Sequence, residues 1–104
     1  MESRIAYFEK LLAEDPKNPT GLMALANEYQ KADRQEDVVR VLQQYLAAHE
    51  DEGNAYARLG EALAETDRES EAREVYERGI EQAIRHDHGE LAEEMRLALE
   101  QLEN

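Results

Sequence analysis

Two stretches of this chain repeat one another at a spacing of 34 residues. Leu22, Leu25, Ala26 and Tyr29, followed by Val38 and Leu42, are echoed by Tyr56, Leu59, Gly60 and Leu63, followed by Ala72 and Tyr76. Within each set the steps of three and four residues trace one face of a helix. A fixed period of this length describes a unit that cannot bury its apolar face alone, so neighbouring units stack and share it. The expectation is an all-α chain, a helix-hairpin repeat array of the α-solenoid type, used for recognition rather than catalysis.

Composition agrees with that reading. Hydrophobic residues are 41% and charged residues 36%, with only 5 Gly and 2 Pro to interrupt helices. Ala, Leu, Glu, Gln and Arg dominate, and all are strong helix formers. The net charge is −13, from 25 acidic against 12 basic residues. Nucleic acid and anionic membrane surfaces both require a basic stripe, so neither is an expected partner. A basic peptide would be steered in by this field, although an excess of Glu also serves simple solvation of exposed helix faces. With no Cys, disulfides and thiolate metal sites are excluded. The longest apolar run, Leu22 to Ala26, is far short of a membrane span. Met1-Glu2-Ser3-Arg4 lacks the build of a signal peptide, so a cytoplasmic location is the default expectation.

The spacing predicts six helices. The first covers Glu2 to Glu14 with Ile5, Phe8, Leu11 and Leu12 on one stripe, and it stops at Asp15-Pro16. Asn18 as cap and Pro19 at the first helical position open the second, which runs to Ala32. Asp33 with Glu36, and Thr66 with Glu69, have the form of capping boxes for the third and fifth helices. The third helix ends at Ala48, the fourth spans Asn54 to Glu65, the fifth runs from Glu69 to Arg85, and a sixth follows Asp87-His88-Gly89. Gly79 lies inside a helix at a cost of about 1 kcal/mol relative to Ala, which implies a close contact there with the following helix. Connections of two to five residues make neighbouring helices antiparallel.

The repeated positions resemble the tetratricopeptide repeat family. Tyr56, Leu59, Gly60, Leu63, Ala72 and Tyr76 match its pattern well; Leu22, Leu25, Ala26, Tyr29, Val38 and Leu42 match it loosely; Phe8 and Pro16 suit the second half of a preceding unit. The resemblance implies one domain over residues 1–104: a half-repeat helix at 2–16, repeats at 19–52 and 53–86, and a capping helix at 87–104. Several residues depart from the family pattern. Tyr45 stands where a small residue is usual, and Asp33 and Asp67 where the turn usually has Gly. At the family spacing, Glu93 and Glu94 replace a Leu and a small residue, so the last helix reads as a terminal cap with a polar outer face.

In that family the first helix of each hairpin lines a concave surface that holds peptides. Carried over by register, the resemblance implies Thr20, Met23, Asn27 and Gln30 from one helix and Asn54, Ala57, Arg58 and Glu61 from the next. A clamp for a C-terminal carboxylate is not expected, since Met23 stands where that sub-class needs a base. His86-Asp87-His88 invites a metal reading, but helix-end roles explain it more simply, and neither metal nor cofactor is expected. No nucleophile motif or phosphate loop points to an enzyme. The expected function is a non-catalytic protein–protein interaction module with a small concave groove for a peptide or helix. The alternative is a homodimer formed through the first helix, which lacks a hairpin mate.

Overall fold

Helix-forming composition and short connections produce helices throughout. The computed structural model describes residues 3–103, and among them there is no strand. The order is α1 (Arg4–Glu14), α2 (Pro19–Lys31), α3 (Gln35–Ala48), α4 (Asn54–Glu65), α5 (Glu69–Arg85) and α6 (Gly89–Glu103). The expected helix start at Glu2, and the end of the capping segment at Asn104, lie outside the described residues.

Side chains set the helix starts. Ser3 Oγ accepts from the Ala6 N–H at 3.1 Å, and Asn18 Oδ1 accepts from the Gly21 N–H at 2.9 Å, with Pro19 at the first helical position. The start of α4 was not readable from its own cap. Gly53 is that cap, at φ 132°, and has no side chain to offer. Asp51 supplies the acceptor instead, its carboxylate oxygen taking the N–H groups of Gly53 and Ala55 at 2.8 and 2.9 Å.

Three helix ends share one turn. Asp33, Asp67 and Asp87 adopt left-handed conformations, with φ of 57°, 60° and 61°. After each, a backbone N–H reaches back across the turn: Arg34 to Tyr29 O, Arg68 to Leu63 O and His88 to Ala83 O, at 2.9, 2.9 and 2.7 Å. The aspartate N–H closes a second bond inside each turn, which satisfies carbonyls a helix end would otherwise leave open. This geometry corrects both capping boxes. Asp33 is the left-handed residue itself, and Thr66 Oγ1 donates back to Ala62 O and Leu63 O at 3.0 Å. The residues that enter α3 and α5 are Arg34 and Arg68, each pairing with an acid three residues on: Asp37 at 2.8 Å and Glu71 at 2.6 Å. Replacing Asp67 by glycine is expected to stabilise the chain by about 0.5 kcal/mol, since glycine adopts this conformation without a Cβ clash. Thermal melting checks it, and a fall in Tm would contradict the reading.

The chain divides into two compact units, Met1–His49 and Glu50–Asn104. In the first, α1 packs on α2 and α2 on α3. Its core is Leu22, Leu25, Ala26 and Tyr29 from α2 with Val38, Val39, Val41 and Leu42 from α3. α1 contributes no fully buried residue. It approaches α2 through Leu11 and Leu12 at Gly21, where a Cβ would lie 2.7 Å from Leu11 Cδ2. A polar chain covers the buried Tyr29 ring. The phenol donates to Glu9 at 2.6 Å and accepts from Arg40 at 3.4 Å, while Arg34 lies 4.6 Å from the ring centroid. Burial pushes the Asp37 carboxyl up, but hydrogen bonds from Arg40 and Arg34 outweigh it and hold the group below the usual range.

In the second unit α5 packs on both α4 and α6. Ala55, Leu59, Ala62 and Leu63 meet Ala72, Tyr76 and Ala83, with Ala92 and Met95 buried on α6. Glycines make the approach possible. A Cβ at Gly60 would lie 2.5 Å from the Tyr76 ring, and one at Gly79 would lie 2.6 Å from both Met95 Sδ and Tyr56 Cβ. The close contact expected at Gly79 therefore exists, and it involves α4 as well as the following helix.

The register of α6 departs from the 34-residue spacing. α5 has 17 residues against 14 in α3, and the stripe reappears late, as Met95, Ala98, Leu99 and Leu102. That set keeps the steps of Leu22, Leu25, Ala26 and Tyr29. Glu93 and Glu94 are exposed because they lie off the stripe, and they do not replace its members.

Candidate functional site

The exposed sides of α2 and α4 carry the eight expected residues, four in each unit. On α2, Thr20, Asn27 and Gln30 are exposed and Met23 is half-buried. Asn27 and Gln30 share a recess of about 560 Å3 with Arg4, Ala24, Glu28 and Lys31. Thr20 and Met23 are not among its lining residues. Glu28 organises the recess. Its side chain is only 12% exposed, and one carboxylate oxygen takes Arg4 Nε at 3.0 Å and Lys31 Nζ at 3.5 Å. The hydrogen bond from Arg4 is the main reason its carboxyl sits below the ordinary range. Lys31 is three residues from Glu28 and was legible as a helix pair. Arg4, 24 residues away, carried no such signal. The recess thus presents two amides between two cations, and its one carboxylate is already satisfied. Amides offer both donors and acceptors, which suits the backbone of an extended chain.

On α4, Asn54 and Glu61 are exposed, while Ala57 and Arg58 are half-buried. Burial lowers the Arg58 pKa from its ordinary value, and the neighbouring Glu61 carboxylate opposes that shift. The guanidinium stays charged, as arginine does throughout the accessible range. Asn54 borders a second recess, about 580 Å3, with His88, Glu90, Leu91 and Glu94 of the α6 end. His88 Nε2 lies 2.6 Å from Glu52 Oε1, and this hydrogen bond lowers the Glu52 carboxyl pKa. His88 thereby ties the start of α6 to the loop before α4. Among the described residues no three His, Asp or Glu side chains are grouped to hold a metal ion, and no helix is long and apolar enough to cross a membrane.

Charge divides unevenly. The first unit has eight acids against six bases, a net of −2; the second has seventeen against six, a net of −11. The whole-chain value concealed this. The recess on α2 belongs to the nearly neutral unit and has cations at its rim.

No family model matches the sequence, and no curated protein matches it. Among solved structures the chain is similar to a protein of Bordetella parapertussis determined in solution. The likeness has a TM-score of 0.78 at 20% identity, over 98% of this chain and 89% of that one. At that identity it bears on the fold, which is all-α with successive helices packed on one another within each unit.

Proposed function

We propose that this chain is a non-catalytic protein-interaction module of the tetratricopeptide kind, acting in the cytoplasm on a peptide or helical segment of a partner protein. One observation carries the reading. Asn27 and Gln30 of α2 stand exposed together in a recess rimmed by Arg4 and Lys31. Backbone groups of an extended segment would pair with the two amides, and a carboxylate on that segment would meet the cations. On α4, Asn54 borders a recess of its own, and Arg58 is half-buried one helical turn away. A surface this small binds weakly, at about micromolar affinity or poorer.

A peptide array probed with the intact chain tests the proposal. A ligand is expected whose binding falls about tenfold in Asn27→Ala and in Lys31→Ala, both lining the α2 recess, as for loss of one charged or amide hydrogen bond. An array without any ligand, or one whose ligands bind both variants unchanged, overturns it.

A further inference from the structure

The two terminal helices each have one bare side, and the sides match. In the α4–α5 hairpin the Tyr76 ring lies against Gly60. The residues 34 positions earlier, Leu42 and Ala26, are fully buried in the α2–α3 hairpin. One further step back from Leu42 is Phe8 of α1, and one step back from Val38 is Arg4. Val38, Ala72, Leu42 and Tyr76 are all buried, whereas Arg4 is exposed, Phe8 is half-buried and the adjacent Tyr7 is 57% exposed. A recess of about 320 Å3 opens at Ser3, Arg4, Tyr7 and Phe8. So α1 has the face of a second hairpin helix, and the described residues contain no first helix against it.

α6 shows the converse. Met95 is buried at Gly79, as Leu22 is buried in its own unit. Leu25, Ala26 and Tyr29 are buried, as are Leu59, Gly60 and Leu63, yet Ala98, Leu99 and Leu102 at the same steps are only half-buried. This is the face that meets α5 when it occurs on α4. The described residues contain no second helix against α6.

We propose that α6 of one copy of this chain receives α1 of a second copy, the two completing a hairpin between molecules. The contact shares Arg4 with the peptide recess on α2, and is otherwise made by Tyr7 and Phe8, which do not line that recess. The pairing of Gly60 with Tyr76 sets its register. Leu99 takes the place of Gly60 and lies opposite Phe8, and Ala98, in the place of Leu59, gives room for the larger residue. Running the helices antiparallel from that point brings Glu100 opposite Tyr7 and Glu103 opposite Arg4. The charges suit this arrangement: a cation of the nearly neutral first unit meets the acidic end of a unit of net −11. Each copy carries one face of each kind, so the contact is head-to-tail, and a pair still has a free face at either end.

Sedimentation of the full chain from micromolar to millimolar concentration tests the proposal. The mass is expected to rise past that of a dimer. Phe8→Glu and Leu99→Glu are each expected to remain monomeric. Mixed in equal amounts they form a dimer and nothing larger, because one intact α6 then meets one intact α1. Tyr7→Glu sits at a residue already exposed in the single chain. It sets a carboxylate opposite Glu100 and is expected to weaken assembly at least tenfold while circular dichroism stays unchanged. A parent chain that is monomeric throughout overturns the proposal, as does a mixture that fails to pair. Assembly that survives Leu99→Glu but not Tyr7→Glu also overturns it, and marks two-fold pairing of α1 with itself.

Discussion

Gly60→Leu is expected to destabilise the second unit by about 3 kcal/mol, at the upper end of overpacking costs. The first added atom already has no room. A Cβ at this position would lie 2.5 to 2.8 Å from three atoms of the Tyr76 ring. The ring is itself held in the core, so relief requires α4 and α5 to separate. Even Gly60→Ala is expected to destabilise, although alanine is favoured over glycine in a helix by about 1 kcal/mol. The sign of that second variant separates a packing role from mere helix propensity. The first unit suggests the compensation, because its residues at the same positions are Ala26 and Leu42. Gly60→Ala combined with Tyr76→Leu is therefore expected to recover stability relative to Gly60→Ala alone. Urea denaturation of the four chains in that cycle gives the coupling. Additive effects would mean that the two side chains do not meet.

Tyr29→Ala is expected to cost about 3 to 5 kcal/mol, the range for emptying a buried aromatic site. Tyr29 is fully buried on α2, faces α3 in the core and reaches Glu9 of α1 through its phenol. Removing it opens a cavity and also releases the α1 hydrogen bond. Tyr29→Phe keeps the ring and loses about 1 kcal/mol for the hydrogen bond alone. The pair of variants thus apportions packing and polar contributions by denaturant melting. A smaller loss for alanine than for phenylalanine would contradict this account. Alkaline pH adds a second measurement. Burial raises the Tyr29 pKa, and the hydrogen bond to Glu9 adds to it against the opposing Arg40. The folded chain therefore keeps this phenol protonated where the unfolded chain ionises it, near pH 10. The associated stability is complete below that pH and falls as pH rises through and beyond it. Tyr76 is shifted the same way, chiefly by burial, so Tyr29→Phe is expected to remove only part of the alkaline loss.

Local chemistry made most of the helices legible. Asp15-Pro16 ends one and Asn18-Pro19 begins another, because proline restricts the residue before it and suits the first helical turn. Gly79 was recognisable as a contact point, since a glycine inside a helix is costly unless something lies close against it. The capping boxes misled for a definable reason. A threonine hydroxyl can accept from the helix ahead or donate to the one behind, and the left-handed conformation at Asp67 sends Thr66 backward. The apolar stripe also sits late within α6, which itself begins 35 residues after α4, so positions counted at 34-residue steps landed on Glu93 and Glu94 in place of Ala98 and Leu99. The binding residues on α2 were placed by register, but Arg4 and Glu28, which shape that recess, come together only through the packing of α1 on α2.

The amino-acid order by itself determined the helices, their period and the small residues at their crossings, since each depends on neighbours within a turn or two of chain. Tertiary structure alone decided which faces were covered. The half-buried states of Phe8 and Leu99 depend on whether another helix lies alongside, and no local pattern encodes that. The balance of charge between the two units became meaningful at the same stage, once compact units separated residues that a single total had pooled.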